Sequence, residues 1–518
     1  MATFTIDNQV VTVADGATVL DGARALGIDI PALCAAEARP AHPTCFVCVV
    51  RIDGSGRLVP ACATTAVDGM RVESETDDVR DARRTAIELL LSDHFGDCIA
   101  PCSLSCLAHI DAPRMIRRIA ERRFGDAIAV VKETVPLPAA LGRICPELCE
   151  KACRRHSYDA AVSICALERF VADWDLSRQE PYNPVCAPPT GRTVAIAGAG
   201  PAGLAAAYFL QIAGHACTLF DDHPKPGGML RYGVPEAVLP RDVLDAEIAA
   251  ILRTGAQIRC GVGLGRDISL GDLRARFDAV LLTVGDLRTS SALDEALIVG
   301  SDGISAARET LATSLPGVFA AGAAVAPMRH AVRAVASGRR AAASIDRFLG
   351  GAGSFAAAQE YSVRSGKIEN EELLALAAGA SPEARIASRK PLTEDEAVRE
   401  AKRCLQCECQ GAATCKLRDA ARRCAARAGR FRGTRRPPAR DESHPEVVFD
   451  AGKCIACGIC VRIAAAAGEE TGVSFQGRGF GIRVASSTSG SLADGLRRTA
   501  RECALACPTG ALTLKEGL

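Results

Sequence analysis

The sequence has almost no excess charge of either sign: 62 Lys and Arg stand against 61 Asp and Glu, a formal net charge of +1. No global field therefore draws the chain to nucleic acid or to a membrane surface. It has no stretch of about 18 apolar residues free of charges and polar breaks, which argues against membrane insertion. The start, MATFTIDNQVVTVADGATVL, lacks a basic segment followed by an apolar core and does not read as a signal peptide. Tandem repeats and low-complexity tails are missing as well. The 8 histidines form no zinc-protease motif, and no Ser–His–Asp set or paired carboxylates suggest hydrolysis. What is present is a chain of 518 residues, 48% apolar, long enough for roughly three to five domains. A reducing, cytoplasmic setting is the expectation.

Cysteine is abundant, at 24 residues, and clustered at 34–62, 98–165, 404–424 and 454–507; only Cys186, Cys217 and Cys260 occupy the middle. In a long cytosolic chain such clusters point to metal rather than disulfides. Five segments follow from the patterning. Residues 1–80 read as short strands around a small helix at 18–26. Residues 81–185 read as helical, from the apolar periodicity of ARRTAIELLLSDH and ICALERFVADW. Residues 186–350 alternate strand and helix as βαβ units do. Residues 351–440 form a polar linker with short helices, a four-cysteine motif and a basic run that reads as solvated, and 441–518 form a compact final module.

Cys34, Cys45, Cys48 and Cys62 are spaced C-x10-C-x2-C-x13-C. Four thiolates from one long loop and one later strand suit a [2Fe–2S] cluster. With IPALC before and ACATTAVDGMRVES after, the segment resembles the N-terminal ferredoxin domain of the large iron–sulfur subunit of complex I and of iron hydrogenases. Structural zinc is the competing reading.

His94, Cys98, Cys102 and Cys106 follow at four-residue steps, and Cys145, Cys149 and Cys153 repeat the step in GRICPELCEKAC. On a helix such positions share a face. Six thiolates are too few for two all-cysteine [4Fe–4S] clusters, so other ligands are needed. The segment resembles the N-terminal domain of the glutamate synthase small subunit and of dihydropyrimidine dehydrogenase. The resemblance implies one cluster on Cys106, Cys145, Cys149 and Glu168. It implies another on Cys102 and Cys153, completed by Cys98 and His94. His94 as a capping residue, and Cys165 as a buried non-ligand, are the plainer readings. The spacing departs from the family's C-x2-C-x4-C-x3-C-P run, with Leu107 in place of the proline.

TVAIAGAG leads into Gly198, Gly200, Pro201, Ala202 and Gly203 and then into LAAAYFLQIAGH. Such glycines let a pyrophosphate approach a helix N-terminus. Asp221 lies 18 residues after Gly203, at the end of CTLFD, placed for a ribose hydroxyl. KPGGMLRYGVP, with Gly228, and TSLPGVFAAG, with Gly322, extend the resemblance to the glutamate synthase small subunit. It implies FAD. Two departures stand out: Ala323 replaces the family's acid after AAG, and Gly285 and Pro316 are about 30 residues apart, too close to enclose the family's second, NADPH-binding domain. The FAD site is either retained through other groups or kept as a scaffold.

Cys404, Cys407, Cys409 and Cys415 suit a [4Fe–4S] cluster or zinc. Cys454, Cys457 and Cys460, with Cys507 before Pro508, complete one [4Fe–4S] set, while Ala464, Arg497 and Ala500 stand where a second set needs cysteines. Cys503 is then a leftover. The module resembles the ferredoxin domains of formate dehydrogenases and complex I-like hydrogenases. The whole order resembles the NADPH–Fe(III) oxidoreductase beta subunit and related fused flavoproteins.

The expected fold class is multidomain α+β and α/β: a β-grasp-type [2Fe–2S] ferredoxin, a helical cluster domain, a Rossmann-like FAD domain and a C-terminal ferredoxin-like domain. The expected cofactors are one [2Fe–2S], three to four [4Fe–4S] and FAD. The expected role is electron transfer inside a multi-subunit oxidoreductase. Its partners would be an NAD(P)H-oxidising flavoprotein or a molybdenum, tungsten or hydrogenase catalytic subunit. A stand-alone NAD(P)H-dependent acceptor oxidoreductase is the alternative.

Overall fold

A computed structural model of the chain describes residues 1–35, 42–52, 56–286, 297–355, 361–386, 390–431, 433, 435–487 and 490–515. Two compact units emerge: Met1–Ile99, Tyr361–Ala378 and Cys407–Leu518 make the first, Ala100–Glu360 and Gly379–Gln406 the second. The second unit thus interrupts the first twice along the chain, with Tyr361–Ala378 of the first unit between its two stretches. The linear segments 81–185 and 351–440 are each divided between the two. Among the described residues no helix is long and apolar enough to cross a membrane.

In the first unit, Ala2, Phe4 and Ile6 point inward and Thr3 outward, the two-residue alternation of a half-buried strand. The strand Ala2–Ile6 pairs antiparallel with Gln9–Val13 and parallel with Arg71–Glu73. Val49–Ile52 and Leu58–Pro60 extend the sheet to five strands. Thr18 opens the helix Val19–Ala25 with a reciprocal capping box to Asp21. This is the expected β-grasp-like arrangement. At the other end of the chain, Val447–Asp450 lies between Arg440–Asp441 and Leu512–Leu514 in an antiparallel sheet, backed by the helices Ile459–Ala466 and Ala500–Ala506. One core runs through the unit, from Phe4 and Val19 through Ile87 to Val447 and Ile463.

The second unit joins a helical part to a parallel sheet. The strands Val318–Ala320, Ala279–Leu282, Thr193–Ala197, Ala216–Asp221 and Gln257–Cys260 lie side by side in that order, all parallel. Ala279–Leu282 is buried throughout, as a strand covered on both faces must be. Val318–Ala320 pairs directly with Ala279–Leu282, so the chain between them returns at once to the same sheet. The helical part is tied to this sheet through Glu247, buried on the helix Arg241–Leu252. Its carboxylate accepts the amides of Ala139 and Ala140 at 2.5 and 2.8 Å, capping the helix Pro138–Ile144.

Candidate metal centres

Cys34, Cys45, Cys48 and Cys62 converge in the first unit. The Cys45 Sγ lies 3.4 Å from the Cys34 Sγ, and Cys62 hydrogen-bonds both Cys34 and Cys48. All four are buried. Cys48 and Cys62 are held in register because Val49–Ile52 and Leu58–Pro60 form a hairpin. Sharing protons among so many thiols holds Cys34 well below, and Cys62 well above, the ordinary range. Four buried sulfurs in contact are a donor set that fits a [2Fe–2S] cluster. Residues 36–41 of the intervening loop lie outside the described residues.

Cys454, Cys457, Cys460 and Cys507 line one cavity, with Cys503 beside them. Ala456 and Gly458 adopt positive φ of 52° and 71°, which curls CIACGIC so that its sulfurs face inward. The Ala456 amide donates to the Cys454 Sγ at 3.4 Å, a contact that favours the thiolate. Burial, then the charges of Cys507 and Cys454, push the Cys457 thiol up to about 12. A bound cation reverses that preference, so the site fits a cluster better than free thiols. Cys503 is buried at this cavity. The guanidinium of Arg462 donates to the Cys457 carbonyl at 3.3 Å and to the Cys34 carbonyl at 2.9 Å. These two cysteine sets of the first unit are therefore neighbours.

In the second unit, the helices Pro101–Ser105 and Leu148–Lys151 pack together, bringing Cys106 toward Cys145 and Cys149. Cys165 belongs to the same group: its Sγ is 3.9 Å from that of Cys149, and it hydrogen-bonds Cys145. Glu168 is buried, and its Oε1 has no partner. Burial, then the Cys145 and Cys149 charges, push its carboxyl far up. A buried carboxyl whose Oε1 finds no donor, beside the Cys145 and Cys149 thiols, fits a metal ligand. Burial also raises the Cys106 thiol to about 12. Arg339, from the helix Ala331–Phe348, is buried within reach of Cys106, and its Nε is unpartnered. Arg339 carried no signal in the sequence, because it lies in no cysteine motif; Cys165, expected to be buried, is buried.

The four-cysteine motif is divided between the two units: Cys404 belongs to the second unit and Cys407, Cys409 and Cys415 to the first. Cys404 packs against the core that contains Cys102 and borders Cys153. Arg403 and Arg155 anchor it there. Arg155 donates to the Arg403 carbonyl, and Arg403 donates to Glu400 at 2.8 Å and to the Ala160 carbonyl at 2.8 Å. The other division falls in the four-step run. Cys98 and His94 belong to the first unit, Cys102 and Cys106 to the second. Asp97 and Glu408 form a parallel β-bridge, setting Cys98 beside Cys409. His94 is buried with its Nδ1 unpartnered, and burial, with Lys453 next, lowers its imidazole to about 4.

Gly198, Gly200, Pro201, Ala202 and Gly203 carry the chain from the strand Thr193–Ala197 into the helix Pro201–Ile212. Asp221 ends the neighbouring strand, and its carboxylate accepts the Ala199 amide at 2.6 Å and the His223 amide at 3.0 Å. Gly228, at φ +50, packs on Gly200 so closely that a Cβ would lie 2.8 Å from the Gly200 Cα. Gly322 sits at the far side of the same helix start, against Ala202. A backbone cradle without side chains at a helix N-terminus fits a nucleotide pyrophosphate.

Four known families match parts of the chain. They are a 2Fe-2S iron-sulfur cluster binding domain (residues 1–77), the 4Fe-4S cluster domain II of dihydropyrimidine dehydrogenase (93–180), an NAD(P)-binding Rossmann-like domain (196–258) and a 4Fe-4S single cluster domain (447–514). The NADPH-Fe(3+) oxidoreductase subunit beta of Geobacter sulfurreducens is 41% identical over 194 residues, 37% of this chain and 29% of its own length. The NAD-dependent dihydropyrimidine dehydrogenase subunit PreT of Salmonella typhimurium is 41% identical over 189 residues, 36% of this chain and 45% of its own. The NADP(+)-dependent formate dehydrogenase subunit beta of Moorella thermoacetica is 37% identical over 207 residues, 36% and 29%. The chain thus spans less than half the length of each. Among solved structures, an NAD+-reducing [NiFe]-hydrogenase aligns over 100% of this chain and 88% of its own, at 14% identity and TM-score 0.37. The chain combines 2Fe-2S and 4Fe-4S domains with a Rossmann-like nucleotide fold. The C-terminal match is to a single-cluster domain, as the loss of the second cysteine set implied.

Proposed function

We propose that the chain is an electron-transfer iron–sulfur flavoprotein subunit of a multi-subunit oxidoreductase in the cytoplasm. The observation that carries this reading is the adjacency of the Cys34 and Cys457 sets, joined through Arg462. Clusters bound there would take up and release single electrons. The residues hold them close, bury them from water and direct N–H groups and a guanidinium at their surroundings. Those features favour rapid transfer over chemistry on a substrate. FAD is assigned to the cradle of Gly200 and Gly228, with Asp221 shaping its loop. The matched relatives and the lack of a second nucleotide fold among the described residues favour a partner that holds the catalytic site. That partner would be an NAD(P)H-oxidising flavoprotein or a molybdenum, tungsten or hydrogenase subunit.

The match of residues 196–258 to NAD(P)-binding folds favours one second reading, a stand-alone NAD(P)H-dependent acceptor oxidoreductase. Anaerobic addition of NADPH or NADH to the purified chain separates the two. The relay reading expects no bleaching of the visible bands by either, and full bleaching by dithionite. Rapid bleaching by NADPH alone would establish the second.

A further inference from the structure

We propose that His94, Cys98, Cys409 and Cys415 hold one further [4Fe–4S] cluster, whose ligands come from the two sides of the second unit along the chain. The inference rests on the iron–sulfur reading above but regroups residues that the linear spacing assigns elsewhere. All four belong to the first unit, although 310 positions separate Cys98 from Glu408 of the bridging strand.

Several independent contacts bring them together. The Asp97–Glu408 bridge aligns the segments carrying Cys98 and Cys409. The first-unit segment Tyr361–Ala378 clamps the first of these: the Cys98 amide donates to the Val363 carbonyl at 3.2 Å, and the Gly96 amide to the Ser365 Oγ at 3.0 Å. The Phe95 amide donates to the Gly452 carbonyl at 2.8 Å. Lys453, paired with Asp450 at 2.8 Å, reaches the Glu408 carbonyl at 3.4 Å. The Cys409 Sγ packs against the bare Cα of Gly510, where any side chain would collide with it. Cys415 is placed by the Leu417 amide, which donates to the Pro508 carbonyl at 3.1 Å, and its sulfur accepts the Arg418 amide at 3.4 Å.

Cys98, Cys409 and Cys415 are then gathered at one end of the C-terminal module, and His94, whose buried Nδ1 is unpartnered, faces the same Lys453 and Asp450 as Cys409. An imidazole in place of a thiolate leaves a cluster with less negative charge, which raises its potential. This site would therefore accept electrons more readily than the Cys454 set beside it.

The test uses the full chain, purified anaerobically, with iron, sulfide and zinc measured and EPR spectra recorded after dithionite. Cys98→Ala, Cys409→Ala and Cys415→Ala should each remove about four irons per chain and erase the same EPR signal. Cys404→Ala should leave that signal in place. His94→Cys should keep the signal, altered in its g-values and shifted to lower potential. The [2Fe–2S] signal of the Cys34 set serves as the internal check that each variant is folded. A chain holding iron in which Cys98→Ala keeps the signal lost in Cys409→Ala would overturn the shared site alone. Loss of that signal in Cys404→Ala would return the four-cysteine grouping instead. Zinc in place of iron at every site would overturn the relay reading and this inference with it.

Discussion

Arg462 donates to the backbone carbonyl of Cys34 at 2.9 Å, across 428 positions of sequence. The same guanidinium holds the Cys457 carbonyl, so one positive charge sits between two proposed clusters. A nearby cation stabilises the reduced, more negative state of each. Arg462→Gln should therefore lower both potentials, by on the order of 50 mV. Redox titration followed by EPR would measure it. Unchanged potentials at both sites would mean that the guanidinium only ties the loops.

Gly228 has a consequence for nucleotide content. A Cβ there meets the Gly200 Cα, at a φ of +50 that side chains rarely adopt. Gly228→Val should reduce bound flavin to less than about a tenth of the parent, because the bulk fills the pyrophosphate path. Iron content should stay the same. Flavin release on denaturation, measured by absorbance beside an iron assay, gives both numbers.

Arg403 is 1% exposed. Its guanidinium meets Glu400 at 2.8 Å and Asp159 at 3.2 Å. Arg403→Met leaves Glu400, itself 0% exposed, without its cation; breaking a buried pair in this way costs about 3–5 kcal/mol. The thermal midpoint of the second unit should fall by several degrees.

Glu247 supplies a pH dependence. Burial raises its carboxyl from 4.5 to about 7 against the opposing pull of two backbone amides. The folded chain then holds a proton that the unfolded chain has lost between those values. Stability falls as pH rises through that window and is level above it. The change amounts to at most about 3 kcal/mol. Glu247→Gln, which keeps one acceptor for the amides, should flatten the profile of thermal midpoint between pH 5 and about 7. A profile as steep as the parent's would assign the dependence to another group.

Much of this was legible in residue spacing. The Cys34 and Cys454 sets converge because each lies within one local loop and one returning strand or helix, so short-range order suffices to bring the sulfurs together. The strand, glycine turn, helix and Asp221 were readable for the same reason. Arg462 and Arg339 were not readable, since an arginine among 62 basic residues acquires a role only from what packs around it. Cys165 read as buried and not ligating, and the fold does bury it, 3.9 Å from the Cys149 sulfur.

The sequence by itself determined the chemistry: thiol clusters, a glycine cradle and one Rossmann-like nucleotide fold. Those depend on residue type and local spacing, which a linear reading preserves. Only the tertiary structure set Cys98 beside Cys409. The break between Ile99 and Ala100, and its counterpart between Gln406 and Cys407, divides two motifs that look continuous. A single β-bridge, Asp97 to Glu408, then restores a neighbourhood that no spacing rule can express, because contact in a folded chain is set by packing and not by distance along it.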